Sequence, residues 1–436
     1  MGGTPGPQTI STRLQGIAEQ AVRYPDMVFN NLYHKIDVDL LREAYRQTRK
    51  DAAPGIDKVT AQEYAENLEE NLRDLCERLR WGKYVAPPVE RVWIDKEDGR
   101  KRPIGKPTFE DKIVQRAVEI LLSVIYDVDF YNFSHSFRKG HSQHKALHEL
   151  REQCLRLNIG WIVDADITGL FDNIDRSHLR KIIKRRVNDG GILRLIGKWL
   201  NAGVMEEGAV TYPEKGTPQG GVISPLLSNI FLHYVLDDWF AKEVKPRMKG
   251  RCFIIRWADD FIIGFELESD VRRVLAVLPK RFNRFGLSLH PEKTKIIPFK
   301  KPSSNNEDGK GNGTFDFLGF TFYWSKSRRG YWVIKKKTMR KRLSRFMKGL
   351  WRWCRDNRHE PLKEQHKTLC LKLRGHYQYY GVRSNYKALE VIFEFAEKAW
   401  RYWLSRRSHK GGIRWEKFEK VRASFPFPKP MIVHNI

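Results

Sequence analysis

The sequence Phe253-Ile-Ile-Arg-Trp-Ala-Asp-Asp-Phe-Ile-Ile-Gly264 sets two apolar segments on either side of adjacent carboxylates, Asp259 and Asp260. Another apolar segment, Trp161-Ile-Val-Asp-Ala-Asp166, also ends in an acid. The composition and length of these segments predict β-strands. Taken singly, the first is explained by a solvated hairpin tip, because Asp is a common turn residue. The second is explained by a strand end that dips into solvent.

Together the two stretches predict a shared site. Two strands that each end in acid can be neighbours in one antiparallel sheet, which would bring Asp166 to the Asp259–Asp260 pair. A carboxylate in an apolar strand is costly unless it is paired or bound to a cation. Oxygen ligands of this kind hold Mg²⁺, and two such ions can activate a primer 3′-hydroxyl and neutralise departing pyrophosphate. We therefore predict a site for two Mg²⁺ ions.

The charge of the chain predicts a polyanionic partner. Among 436 residues, 80 Lys and Arg stand against 52 Asp and Glu, a net charge of +28. Nucleic acid is the simplest partner for such an excess. An anionic membrane surface is the alternative, and it is disfavoured because the basic residues are interleaved with aromatic ones. The length suggests two or three domains.

The cysteines and the apolar runs indicate a compartment. The five cysteines lack the paired spacing of zinc sites and of disulfide frameworks, which predicts a reducing cytosol. The chain has no run of about 18 apolar residues, so no membrane span is predicted. Residues 1–7 lack the apolar core of a signal peptide, and we expect them to be disordered.

Hydrophobic periodicity organises the remainder of the chain. We predict an exposed loop over Pro302–Gly313 and strand structure again from Thr314. Phe317–Arg355 has no acidic residue and thirteen Lys and Arg, and it contains a basic amphipathic helix. Further helices are predicted over residues 36–50, 111–126 and 388–404 and from residue 178, and strands over residues 89–94, 160–167 and 251–265. The first three quarters therefore read as α+β and the last quarter as helical.

Several motifs, in this order, resemble those of the group II intron reverse transcriptases, or maturases. The most specific is Gly216-Thr-Pro-Gln-Gly-Gly-Val-Ile-Ser-Pro225. Trp257-Ala-Asp-Asp260 stands where the family usually has Tyr-Ala-Asp-Asp. The other matching segments are Arg102-Pro-Ile-Gly-Lys-Pro-Thr108, Ser136-Phe-Arg-Lys-Gly140, Asp166-Ile-Thr-Gly-Leu-Phe-Asp172, Gly286-Leu-Ser-Leu-His-Pro-Glu-Lys-Thr294, Phe317-Leu-Gly-Phe320 and Leu373-Arg-Gly-His-Tyr-Gln-Tyr-Tyr380.

The resemblance implies a right-hand polymerase of the α+β class, with fingers, an antiparallel-sheet palm and an α-helical thumb. Residues 1–325 would form fingers and palm, with an N-terminal extension over about residues 1–50. Residues 326–410 would form the thumb, or maturase domain, and residues 411–436 a tail. No endonuclease module follows, so the resemblance implies the bacterial, endonuclease-lacking type of this family, located in the bacterial cytoplasm.

The resemblance also implies roles for single residues. Asp166, Asp259 and Asp260 would be the catalytic metal ligands, whereas Asp164 and Asp172 would be structural. Phe171 would exclude a 2′-hydroxyl and so select deoxynucleotides, although a plain core Phe explains it too.

Further residues would contact the nucleotide or the template and primer. Lys96 and Arg102 flank a turn, and they are candidates for binding the triphosphate; a solvated hairpin is the alternative. Lys293 would protonate pyrophosphate, or it is a plain surface Lys. The remaining candidates are Gln219 at the nucleotide, with its neighbour Gly220 against the nascent base pair, Arg138 at the template, and Trp257 at the primer.

We therefore expect an RNA-directed DNA polymerase that takes an RNA template, a DNA or RNA primer and deoxynucleoside triphosphates. A structured intron RNA is expected as a further partner, with help in its splicing and retrohoming. One alternative is an RNA-binding splicing cofactor with an idle polymerase site. Another is a host-adopted reverse transcriptase in DNA repair or phage defence. The sequence leaves the oligomeric state open.

Overall fold

The structure, a computed structural model, describes residues 9–95, 101–206, 209–213, 215–216, 220–302, 313–407 and 412–436. Two predicted nucleotide-binding residues, Lys96 and Gln219, lie outside the described residues. So do residues 1–7 and most of the predicted loop Pro302–Gly313.

The strands form three separate sheets in the described part of the chain. They are β1 (Val89–Asp95), β2 (Lys101–Lys106), β3 (Trp161–Asp166), β4 (Val204–Glu206), β5 (Ala209–Thr211), β6 (Cys252–Trp257), β7 (Asp260–Phe265), β8 (Lys295–Pro298), β9 (Thr314–Phe317), β10 (Phe320–Lys326) and β11 (Trp332–Thr338). The central sheet has the order β6-β7-β3-β8, and all its pairs are antiparallel. The others have the orders β2-β1-β4-β5 and β11-β10-β9.

Helices cover the sheets and form the last part of the chain. They are α1 (Ile10–Arg23), α2 (Val38–Gln47), α3 (Ala61–Glu66), α4 (Leu68–Arg80), α5 (Phe109–Asp129), α6 (Gln143–Arg156), α7 (Leu170–Asn173), α8 (Arg176–Lys184), α9 (Gly190–Leu200), α10 (Ser224–Leu232), α11 (Glu268–Asn283), α12 (Arg340–Asp356), α13 (Leu362–Tyr380), α14 (Tyr386–Leu404) and α15 (Trp415–Ser424). The α10 helix continues into π-helical turns at His233–Asp237 and Phe240–Val244.

Three hydrophobic clusters hold these layers together. The largest joins α1 to α5, α8 to α11 and one face of the central sheet. The second lies between the other face of that sheet, α6 and the β9–β11 sheet. The third is confined to α12–α15 and the chain that follows them. The central sheet is therefore covered on both faces, and its strands read as nearly continuous apolar runs.

The predicted helices and strands are present within a few residues of their expected ends. The predicted domain boundary at residues 325 and 326 is wrong, because it cuts the β10–β11 hairpin, whose strands pair from Phe320↔Thr338 to Lys326↔Trp332. The helical part starts at Arg340. Residues Trp332–Thr338 alternate between inward and outward positions, but they read as part of the basic stretch because two outward positions, Lys335 and Lys337, and one inward position, Lys336, are lysines.

The segment predicted as a tail is folded onto the helices. Phe418 of α15 and Phe427 are buried in the third cluster, and His434 forms a β-bridge with Val382. No helix in the described ranges is both long and apolar enough to cross a membrane. All five cysteines carry free thiols, and four of them are buried.

Candidate functional site

The register of the central sheet brings the predicted catalytic carboxylates to one edge. In the β3–β7 pair, Asp166 lies directly opposite Asp260. Asp259 occupies the tight turn between β6 and β7, where Trp257 pairs with Asp260. The backbone N–H of Ile167 donates to the carbonyl of Asp259 at 3.4 Å. The turn and the end of β3 are therefore in direct contact, as the two-strand prediction required.

These carboxylates destabilise one another electrostatically. Burial raises the pKa of Asp259, and the charge of Asp166 raises it further. Burial also raises the pKa of Asp260 well above its usual range, with added repulsion from Asp164, Asp166 and Asp259. Asp164, which faces the same edge, has its pKa raised to about 7 by burial and by Asp316. Because the pKa of each of these acids is raised, a nearby positive charge would stabilise their ionised forms.

Lys293 supplies positive charge to this edge of the sheet. Its ammonium donates a hydrogen bond to Asp166, and its charge lowers the pKa of Asp259 and Asp260. Among the described residues, no group of three or more His, Cys, Asp or Glu side chains is gathered closely enough to hold a metal ion. Carboxylate oxygens are the ligands that a hard cation prefers. One of these carboxylates, that of Asp166, accepts a hydrogen bond from Lys293, and the described carboxylates do not form a complete set of metal ligands.

The turn that carries Asp259 depends on contacts that the sequence did not reveal. Ala258 adopts φ +55, a left-handed conformation that is strained for a residue with a Cβ. Its N–H donates to the Ser136 hydroxyl at 2.8 Å, and its carbonyl accepts from Arg256 at 3.2 Å. The strained peptide is therefore held from both sides.

Arg256 is itself fixed by a buried network. Its guanidinium forms a bidentate pair with Asp237, at 2.8 and 2.5 Å. It also donates to the Asn229 side chain at 3.0 Å and to the Ser134 hydroxyl at 2.7 Å. Arg256 and Asp237 have fully buried side chains, so the pair is retained only because every donor finds an acceptor. A single Arg within the apolar stretch Phe253–Gly264 was the available signal for this network.

Phe171 is placed next to this edge by a glycine-dependent turn. Gly169 adopts φ +52 and precedes α7. Gly216 adopts φ +84, and a Cβ there would lie 2.6 Å from the carbonyl oxygen of Phe171. Phe171 is half-buried, and the three hydrophobic clusters of the described residues do not include its ring. Phe171 is therefore not part of these clusters, and its predicted role in excluding a 2′-hydroxyl stays a prediction.

The β2-β1-β4-β5 sheet approaches the same carboxylates. Arg102 is exposed on β2, and its charge lowers the pKa of Asp259. Gly220 adopts φ +106, and a Cβ there would lie 2.2 Å from the carbonyl oxygen of Gly105. The close approach of two backbone segments therefore accounts for this glycine. Its predicted contact with the nascent base pair stays a prediction.

Arg138 and Trp257 are less available for template or primer. Arg138 donates to the carboxylate of Asp127 at 2.7 Å and to the carbonyls of Tyr131 and Ser134 at 2.7 and 2.8 Å. Only 6% of its side chain is exposed. Trp257 is half-buried against the second hydrophobic cluster. The contacts favour a structural role for Arg138, and both predicted nucleic-acid contacts stay predictions.

Known proteins resemble the chain as follows. Residues 94–322 match the profile of a family described as reverse transcriptase (RNA-dependent DNA polymerase). The group II intron-encoded protein LtrA of Lactococcus lactis subsp. cremoris is 37% identical over 239 residues, which cover 54% of this chain and 39% of LtrA. Protein YkfC of Escherichia coli (strain K12) is 34% identical over 358 residues, 74% of this chain and 90% of YkfC. The putative COX1/OXI3 intron 1 protein of Saccharomyces cerevisiae is 30% identical over 312 residues, 60% of this chain and 37% of that protein. The chain thus matches well under half the length of LtrA.

Proposed function

Because this chain belongs to the reverse transcriptase family, in its group II intron-encoded branch, we propose that it adds deoxynucleotides to a primer 3′ end on an RNA template. One observation carries the proposal: Asp166 lies opposite Asp260 in adjacent strands, with Asp259 in the turn between β6 and β7. These three acids come from remote parts of the chain, and their charges repel one another. Their convergence therefore costs free energy, which a functional role would explain.

Asp166, Asp259 and Asp260 would hold two Mg²⁺ ions, which would activate the 3′-hydroxyl and neutralise charge on the pyrophosphate. Lys293, which donates a hydrogen bond to Asp166, would give a proton to the leaving pyrophosphate. Arg102, on the fingers strand that faces these acids, would bind the triphosphate through paired donors. Lys96 and Gln219 are proposed to contact the nucleotide as well.

Phe171 would select deoxynucleotides, because its ring would collide with a ribose 2′-hydroxyl. Its fixed carbonyl, against which Gly216 packs without a Cβ, limits how far the ring can retreat. We propose the hand-like division into fingers and palm up to β11, and a thumb from Arg340 onward. We place the protein in the bacterial cytoplasm.

A second proposed function is assistance to splicing and retrohoming of a group II intron RNA. Two relatives carry intron-encoded or intron protein names, and the basic stretch Phe317–Arg355 could follow a phosphate backbone. Under the splicing-cofactor alternative the same RNA would be bound and the polymerase site would be idle. Under the host-adopted alternative the polymerase would serve repair or defence.

Primer extension on an RNA template with Mg²⁺ tests the first function. Asp259→Ala should abolish DNA synthesis and keep RNA binding, whereas Asp356→Ala, which removes an exposed carboxylate on α12, should keep both. If Asp259→Ala protein still makes DNA, the assignment of the metal ligands fails. If wild-type protein binds and splices RNA but makes no DNA, the splicing-cofactor alternative replaces the polymerase.

A further inference from the structure

A basic cavity of about 940 Å³ lies away from the catalytic carboxylates, at the tip of the β10–β11 hairpin. We call it the hairpin cavity. Its walls come from α6, from the hairpin, from the turn between α13 and α14, and from the last residues of the chain. The cations that line it are Arg151, Arg328, Arg329, Lys335, Lys336 and Arg383.

The hairpin cavity has little charge compensation. None of the described residues that line it is Asp or Glu. The guanidinium of Arg151 donates to the carboxylate of Glu152 at 2.6 Å, so the charge of Arg151 is compensated. In the described ranges, Arg328, Arg329 and Arg383 have no acidic partner within ion-pair distance. Cations that converge on a concave surface in this way raise the local concentration of anions.

Lys336 makes the cavity more than a basic surface. It is an inward residue of β11 with a relative exposure of 1%. Its ammonium nitrogen is buried and, among the described residues, has no hydrogen-bond partner. The backbone is fixed, because the N–H of Lys336 donates to the Ser384 hydroxyl at 3.1 Å and that hydroxyl donates to the carbonyl of Lys336 at 2.9 Å. A buried ammonium without an acceptor is costly, and an anion in the cavity would supply one.

The neighbours of Lys336 add to this cost. Burial, together with the charge of the nearby Arg151, lowers its pKa to about 8, while Glu152 acts in the opposite direction. The ammonium is still mostly protonated at pH 7. The site therefore combines a charged donor in its wall with unpaired guanidinium groups at its mouth. That combination suits an anion that offers several oxygens to several donors, as a phosphodiester does.

We propose that the hairpin cavity binds phosphate groups of an RNA backbone, at a place separate from the polymerase site. The choice of RNA rests on the proposed function. Its volume lies in the range of ligand-binding cavities, so it admits a piece of strand as well as a lone ion. Free phosphate is the other source of the same chemistry, and the test below separates the two.

The test uses the full-length protein, a labelled RNA hairpin with a single-stranded 3′ extension, and salt from about 50 to 200 mM. Lys336→Met and Arg383→Gln should each weaken RNA binding by about tenfold. Each should also lower the slope of log affinity against log salt by about one. Lys420→Gln removes an equal charge from the exposed face of α15, and it should change neither quantity appreciably.

Lys336→Met has a second signature, which a purely structural lysine would lack. Removing the unpartnered ammonium while keeping the apolar volume should raise the melting temperature of the free protein, even as RNA affinity falls. If Lys336→Met misfolds, Arg383→Gln alone decides, because Arg383 is exposed. Equal affinities and slopes for wild type, Arg383→Gln and Lys420→Gln would overturn the proposal.

Inorganic phosphate, used as the probe, distinguishes a site for small anions from a site for an RNA backbone. Phosphate that raises the melting temperature of wild type but not of Arg383→Gln, with RNA affinity unchanged in the variant, would replace RNA by a free anion. Wild-type primer extension reports separately on the proposed function. If wild-type protein fails in primer extension but the variants show the expected loss of RNA affinity and salt slope, the proposal for the hairpin cavity stands. If primer extension is normal but RNA affinity and salt slope do not differ among the variants, only the proposal for the hairpin cavity is refuted.

Discussion

Removal of the Ser136 hydroxyl should impair catalysis without a matching loss of stability. This hydroxyl accepts the N–H of Ala258 at 2.8 Å, and Ala258 is the strained residue, at φ +55, before Asp259. In Ser136→Ala the turn keeps its contact with Arg256 but loses the second one. We expect the peptide to relax and Asp259 to move away from Asp166.

The magnitude follows from the contact that is lost. A buried N–H without an acceptor costs about 1 to 3 kcal/mol, and the left-handed conformation of Ala258 adds about 1 to 2 kcal/mol that favours relaxation. If the cost of the unpaired N–H alone appears in the transition state, kcat falls by about 5-fold to 150-fold. The KM for deoxynucleotide should change less, since Arg102 and Phe171 belong to other elements.

Ser134→Ala is the matched control. Ser134 is equally buried in the same segment, and its hydroxyl accepts from Arg256 at 2.7 Å without touching the turn. Both variants should lower the free energy of unfolding by a similar amount, about 1 to 2 kcal/mol. Single-turnover primer extension, corrected for the folded fraction, should separate them. Equal rates for the two variants would refute the idea that Ser136 positions the turn.

Three further predictions concern other described residues. Phe171→Ala should raise the ratio of ribonucleotide to deoxynucleotide incorporation by about 10-fold to 100-fold; an unchanged ratio would make Phe171 a plain structural residue. Arg138→Gln should lower the free energy of unfolding by about 2 kcal/mol and leave the salt slope of RNA binding unchanged. A smaller slope in the variant would instead support the predicted contact between Arg138 and the template. Burial raises the pKa of Asp111 to about 6, above its unfolded value, so the stability of wild type should fall as pH rises from about 4 to 6, by up to about 1.4 kcal/mol per pH unit. Urea titrations of wild type and Asp111→Asn across that window should show the slope in wild type only, and a flat wild-type profile would contradict the burial argument.

The strands of the central sheet were accessible from sequence because they satisfy local rules. Trp161–Asp166 is a short apolar segment that ends in an acid, and Cys252–Phe265 consists of two short apolar segments on either side of adjacent acids. Such segments have few alternatives to strand structure. The antiparallel pairing of β3 with β7 followed from the chemistry that two acidic strand ends need. The register that sets Asp166 opposite Asp260 is consistent with that expectation.

Longer-range features were not accessible in this way. The network around Arg256 joins residues 134, 136, 229 and 237, which are far apart in the chain, and no local pattern specifies that they meet. The boundary at residue 326 failed for another reason. In β11 the inward position 336 is Lys, so the alternation of apolar and polar residues that marks a strand is broken. Its neighbours then read as a basic stretch.

Both of these misses involve a buried charge, and the two cases differ in how the charge is satisfied. Arg256 has an acceptor for every donor, among them the fully buried Asp237, so its cost is met within the folded chain and it can hold a strained turn. Among the described residues Lys336 has no acceptor, and on our proposal a ligand supplies it. A buried cation with a complete network therefore indicates positioning, and one without a network indicates a binding site. By that criterion the catalytic turn is built in the free protein, whereas the hairpin cavity is completed by the anion that it binds.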